Sequence, residues 1–105
     1  ERGRSAEALA EFEAIAADAE RVLGADHRFT LTTWNNLAAL LITGGQLDAS
    51  RGYAERRLDV LRRLYPEDVR GITNTLVVLA TIAERQQRSA DALTLLDQAI
   101  ALGAG

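Results

Sequence analysis

The sequence contains no cysteine, no methionine and no lysine, and it has a single histidine and a single proline. Without cysteine, the chain can form no disulfide framework, no Cys-ligated zinc site and no thiol nucleophile. A lone histidine also excludes a site built from several histidines. Neither a phosphate-cradling glycine-rich turn nor a paired-carboxylate motif is present. The sequence therefore predicts no metal, no cofactor and no enzymatic activity.

The chain also lacks a large net charge and long apolar runs. Its 105 residues are 48% hydrophobic and carry a net charge of −3, which favours one folded domain and argues against a nucleic-acid binder. No run approaches the roughly 20 apolar residues of a membrane span. All twelve basic residues are arginine, and alanine is abundant. Both features are typical of a GC-rich, bacterial genome. Because even position 1 is not methionine, we expect a piece of a larger protein. We also expect a cytoplasmic location.

What the sequence does have is an internal repeat. Residues 4–9 (RSAEAL) recur as residues 88–93 (RSADAL), at an offset of 84. Halfway between them, at an offset of 42, lies QLDAS at residues 46–50, preceded by Gly45 as the first copy is preceded by Gly3. A fixed period of this length is typical of stacked repeats. Five more pairs keep the 42-residue register: Asp26 and Asp68, Arg28 and Arg70, Thr33 and Thr75, Leu37 and Leu79, Ala38 and Ala80.

Apolar residues at three- and four-residue steps predict five helices, over 5–23, 26–43, 47–64, 69–85 and 90–102. Asp26 is the expected N-cap of the second helix, and Ser5 and Ser89 are the expected caps of the first and last. Gly44 and Gly45 should end the second helix, and Pro66 should follow the third. No segment alternates like a strand. We label the five helices B–A–B–A–B along the chain, so that an A helix and the B helix after it form one repeat. Such helices predict an all-α solenoid of antiparallel hairpins. It is divided into a truncated repeat 1–24 and repeats 25–66 and 67–105.

These units resemble the tetratricopeptide repeat. Trp34, Leu37, Ala38, Leu41 and Gly45 follow the order of that family's helix A and its turn. The 42-residue period, LGADH at 23–27 and TTWNNLA at 32–38 are similar to the kinesin-light-chain type of repeat. The resemblance covers essentially the whole chain. It implies a right-handed superhelix that acts as a non-catalytic protein-binding scaffold, in bacteria commonly attached to a signalling ATPase.

The second repeat departs from the pattern. Leu76 replaces the aromatic residue of helix A, Val77 and Val78 replace the asparagine pair, and its turn, Gln86 and Gln87, lacks glycine. In the third predicted helix, Arg57 stands where a small or aliphatic residue is expected, and Gly52 is a helix-weakening residue that is not expected there. These departures affect the regularity of the array.

The resemblance places a partner-binding groove on the helix-A face. Asparagine offers both a donor and an acceptor to a peptide backbone, although Asn36 could instead bond a neighbouring helix end or water. The positions matching a carboxylate clamp in the next repeat, Asn74 and Val78, carry no charge, so binding of an acidic chaperone tail is not expected. The predicted groove residues are Asn35, Asn36, Ala39, Asn74, Val77, Val78, Thr81 and Arg85.

A second candidate surface is basic. Arginine at 51, 56, 57, 62 and 63 makes one helix positive, and an acidic partner or a phosphate could dock on Arg51, Arg56, Arg62 and Arg63. The favoured alternative is a solvated face partly neutralised by Glu55 and Asp59.

His27 lies at a loop-to-helix junction, where we expect a structural role.

Two functions remain open. The first is binding of a peptide or partner domain on the helix-A face. The second is a structural role, in which exposed ends of the array pack on another copy of the chain or on a neighbouring nucleotide-binding ATPase domain.

Overall fold

The computed structural model describes the backbone from Arg2 to Ala104 and the side chains of residues 6–103. Over this range the chain is all-α, as predicted, and no strand occurs. No helix in the described part of the chain is long and apolar enough to cross a membrane. The five helices are α1 (Arg2–Leu23), α2 (Arg28–Thr43), α3 (Leu47–Leu64), α4 (Val69–Arg85) and α5 (Ser89–Ala104).

Three predicted caps differ from the structure. Helix α2 begins at Arg28, and its N-cap is His27 rather than Asp26. Ser89 is the first residue of α5, because the carbonyl of Arg88 already accepts a hydrogen bond from the amide of Ala92. Ser5 lies inside α1, which begins at Arg2, and its side chain falls outside the described residues. The cap predictions were wrong by position, because residue type alone does not fix where a helix begins.

The two A–B turns share one backbone conformation. Gly44 keeps a right-handed φ of −81°, so the left-handed residue of the first turn is Gly45, with a φ of 79°. Its counterpart 42 residues on is Gln87, which adopts a φ of 62° without being glycine. The second turn therefore keeps the geometry of the repeat although its sequence departs from it.

The chain divides into two compact units, which meet in sequence between Tyr53 and Ala54. In the first unit α1 packs against α2, and Trp34 and Leu37 are almost completely buried. Ser50 of α3 is also buried, and its hydroxyl donates to the carbonyl of Ala38 in α2 over 2.7 Å. This hydrogen bond lies where both helices carry small residues and so approach closely.

In the second unit α4 packs against α5, and Leu76 and Ile82 are fully buried. Arg57 of α3 is half-buried, and its Nη1 donates to the carbonyl of Gly71 over 3.2 Å and to the hydroxyl of Thr75. An arginine at a position expected to be small or aliphatic therefore joins α3 to α4 through hydrogen bonds.

Burial follows the 42-residue register in both predicted A helices. The predicted repeat boundaries, after residues 24 and 66, follow this sequence register. The compact units instead divide after Tyr53, so the repeat boundaries stay a prediction. Six pairs of equivalent positions are buried in α2 and in α4: Thr30 and Ile72, Thr33 and Thr75, Trp34 and Leu76, Leu37 and Leu79, Ala38 and Ala80, Leu41 and Ala83.

Candidate partner-binding surfaces

On α2, the predicted groove residues lie beside the core positions. Asn36 and Ala39 are exposed, and Asn35 is half-buried. They alternate with the buried residues Trp34 and Leu37, whose packing fixes the rotation of the helix. The first unit thus presents one exposed asparagine beside a small residue, a surface that a peptide backbone can approach.

On α4, the predicted groove residues form a strip along the helix, since their spacing of three and four residues returns to one face. Asn74, Val77 and Arg85 are exposed, and Val78 and Thr81 are half-buried. The Thr81 hydroxyl donates to the carbonyl of Val77 over 3.0 Å. Exposed valine in place of asparagine makes this strip more apolar than its counterpart on α2.

Two of these residues take part in a shallow hollow between α4 and α5, where Val77 and Thr81 lie with Glu84 and Leu96. Asn74, Val78 and Arg85 do not line it. Neither Glu84 nor Leu96 is among the groove residues predicted from the sequence. The charged Glu84 in register with Ile42 was the available signal that this side of α4 differs from that of α2.

The basic residues of α3 have separate surroundings. Arg51 is half-buried, whereas Arg56, Arg62 and Arg63 are exposed. The Arg63 guanidinium lies 3.6 Å from the Asp59 carboxylate, four residues earlier on the helix. Arg62 instead donates to the side-chain carbonyl of Gln98 in α5 over 3.1 Å. Both arginines are solvated, but Arg63 is partly neutralised by a carboxylate, whereas the partner of Arg62 is a neutral amide.

His27 holds the start of α2. Its Nδ1 accepts a hydrogen bond from the amide of Phe29 over 3.0 Å. The preceding turn has a left-handed Gly24, with a φ of 96°, whose carbonyl accepts from the hydroxyl of the buried Thr30 over 2.8 Å. Asp26 is exposed. The ring nitrogen of His27 is engaged with the backbone, which agrees with a structural role.

No group of three or more metal-binding side chains occurs among residues whose side chains are described.

A family model for the tetratricopeptide repeat matches residues 1–63, which include α1, α2 and nearly all of α3. The chain belongs to the tetratricopeptide repeat family. A comparison with curated proteins finds no match. Repeats of this family generally mediate protein–protein interaction and are typically not catalytic. Helices α4 and α5 lie beyond the matched residues, and α4 buries positions equivalent to those of α2 in the 42-residue register.

Proposed function

We propose that this tetratricopeptide repeat segment is a non-catalytic module that binds a peptide or partner domain on its helix-A face. The observation that carries the proposal is the pattern on α2 and α4: the same core positions are buried in both helices, and the adjacent positions are exposed or half-buried. Asn36 offers hydrogen bonds to a peptide backbone, and Val77 offers apolar contact. The binding residues on this proposal are Asn35, Asn36, Ala39, Asn74, Val77, Val78, Thr81 and Arg85.

A peptide selected from a random library on the immobilised chain supplies a defined probe for this face. Fluorescence anisotropy then gives its Kd for the chain and for variants. The double substitution Asn35→Ala and Asn36→Ala should weaken binding about tenfold, since each lost hydrogen bond is worth about 0.5–1.5 kcal/mol. Thr94→Ala on the exposed side of α5 is the matched helix-B control. Unchanged affinity in the double variant, with unchanged helicity by circular dichroism, would reject the α2 part of the groove.

The setting of this module is part of the proposal. The 42-residue period and LGADH at 23–27 support a kinesin-light-chain-like repeat in a bacterial, cytoplasmic signalling protein that carries a nucleotide-binding ATPase domain. The reading frame that encodes the chain tests this setting. An adjacent nucleotide-binding domain supports it, and a frame that encodes helical repeats alone contradicts it.

Self-association is a second candidate function, favoured by exposed aliphatic side chains. Val22 of α1 is 65% exposed, and Leu93 and Ile100 of α5 are 63% and 67% exposed. Leu93 and Ile100 are seven residues apart in α5 and so lie on one face of that helix. Exposed aliphatic residues that share a face are typical of an interface. Sedimentation velocity from low to high micromolar concentration tests this function: a rising sedimentation coefficient supports it, and a constant monomer value rejects it.

A further inference from the structure

A cleft opens in the second unit between the C-terminal parts of α3 and α5 and the first turn of α4. Its volume is about 420 Å³, which falls within the roughly 300–1,000 Å³ of small-ligand sites. Four of its six lining residues are apolar. The cleft is lined by Arg62, Pro66, Ile72, Gln98, Ala101 and Leu102.

Arg62 gives this apolar cleft a positive charge. Its Nη2 donates to Oε1 of Gln98 over 3.1 Å, and an amide is a neutral partner. Other arginines have acidic partners: Arg63 lies 3.6 Å from Asp59, and Arg88 lies 2.6 Å from Asp91. Within residues 6–103, Arg62 forms no ion pair. The cleft therefore combines apolar walls with a positioned cation whose charge is not neutralised.

We propose that this cleft is a second binding site, which takes an aliphatic side chain flanked by a carboxylate on a protein partner. The aliphatic group would displace water from the walls formed by Ile72 and Leu102. The carboxylate would accept hydrogen bonds from the Arg62 guanidinium, which matches it in a two-pronged geometry. The amide nitrogen of Gln98 supplies a further donor at the same place. None of the lining residues belongs to the proposed groove on the helix-A face, so the two proposed sites have no residue in common.

The composition of the cleft favours this ligand over a phosphate. A phosphate group needs several donors or cations, because its charge is high and its oxygens are strongly hydrated. The cleft has one cation, and most of its wall would face such a group with carbon atoms. A single carboxylate next to an aliphatic chain matches both the one charge and the apolar area.

An NMR titration with defined peptides tests the site. The probe is acetyl-Gly-Ser-Leu-Asp-Ser-Gly-amide, and two control peptides replace its leucine by serine or its aspartate by asparagine. Amide signals of Arg62, Ala101 and Leu102 should shift with the probe, and both controls should bind at least about fivefold more weakly. Equal binding of the asparagine peptide would overturn the role of the charge, and shifts confined to α2 would overturn the site.

Charge and volume variants make the test independent of the peptide. Arg62→Glu should weaken probe binding at least about tenfold, whereas Arg63→Glu makes the same change of charge outside the cleft and should alter the Kd less than about twofold. Ala101→Trp should abolish binding by filling the cleft, and Ala90→Trp, at an exposed position of the same helix, should not. Circular dichroism checks that each variant folds.

Full binding by Arg62→Glu or Ala101→Trp would overturn the proposal. The proposal would also be overturned if the chain self-associates and Arg62→Glu abolishes that self-association, because a second copy of the chain would then occupy the cleft. Asn36→Ala should leave probe binding unchanged, which separates this site from the helix-A face.

Discussion

Helices α2 and α4 bury equivalent positions 42 residues apart in the sequence, yet they begin in different ways. In α2 the ring of His27 accepts from the amide of Phe29, and Phe29 is 51% exposed. In α4 the carboxylate of Asp68 accepts from the amide of Gly71 over 3.0 Å. A Cβ atom at Gly71 would lie 2.5 Å from an oxygen of that carboxylate. Gly71, which lies 42 residues after Phe29, therefore has to lack a side chain for the Asp68 carboxylate to cap α4 in this position.

Helices α2 and α4 keep the same buried positions and the same backbone path in the turns that follow them, although individual residues differ. Trp34 and Leu76 fill equivalent core positions, and both are at most 1% exposed. Gly45 and Gln87 take equivalent left-handed positions with different side chains. Differences between the units should therefore show as different costs of substitution at the same register position.

The largest expected effect is at the equivalent core positions. Trp34→Ala should lower the free energy of unfolding by about 3–5 kcal/mol, and Leu76→Ala by about 2–5 kcal/mol. The tryptophan loses the larger apolar area, so it should cost more. Urea denaturation followed by circular dichroism measures both. A larger loss for Leu76→Ala than for Trp34→Ala would contradict the equivalence of the two positions.

The next effect concerns the hydrogen bonds between α3 and α4. Arg57→Met keeps an aliphatic stem but removes the donor to the Gly71 carbonyl and the Thr75 hydroxyl. It should lower the free energy of unfolding by about 1–3 kcal/mol. Arg56→Met, at the exposed neighbouring position, should change it by about 0.5 kcal/mol or less. Equal urea midpoints for the two variants would show that Arg57 contributes no more than a surface arginine.

The two N-caps provide a matched pair. His27→Ala and Asp68→Ala should each cost about 0.5–2 kcal/mol in urea denaturation, because each removes the acceptor for a helical amide. Asp26→Ala is the control for the residue that sequence reasoning placed at the cap, and it should cost less than His27→Ala. The reverse order would restore Asp26 as the cap.

The smallest effect is at the left-handed turn positions. Gln87→Gly should raise the thermal midpoint, since a non-glycine residue at positive φ is disfavoured by about 1 kcal/mol. Gly45→Gln should lower it by a similar amount. A Cβ at Gly45 would meet no atom within 4 Å, so this cost comes from backbone conformation alone. Opposite shifts in differential scanning calorimetry support the shared turn geometry, and shifts of one sign contradict it.

Much of the fold could be predicted from the sequence because helical periodicity and the repeat reinforce each other. The end of α3 at Leu64 and the span of α4 followed from Pro66 and from spacing. The cap at His27 did not, since aspartate is the more usual N-cap and lies next to it. The apolar cleft was also missed. Its rim joins Arg62 to Gln98 across 36 residues, and local pattern carries no information about such a contact.

The candidate groove was predicted from family resemblance, and the structure adds which of its side chains are exposed. NMR mapping of a library-selected peptide on the isotopically labelled chain tests the proposed function most directly. We expect the largest amide shifts at the predicted groove residues, around Asn36 in α2 and Val77 in α4. Shifts confined to α1, α3 and α5, with α2 and α4 unperturbed, would contradict it.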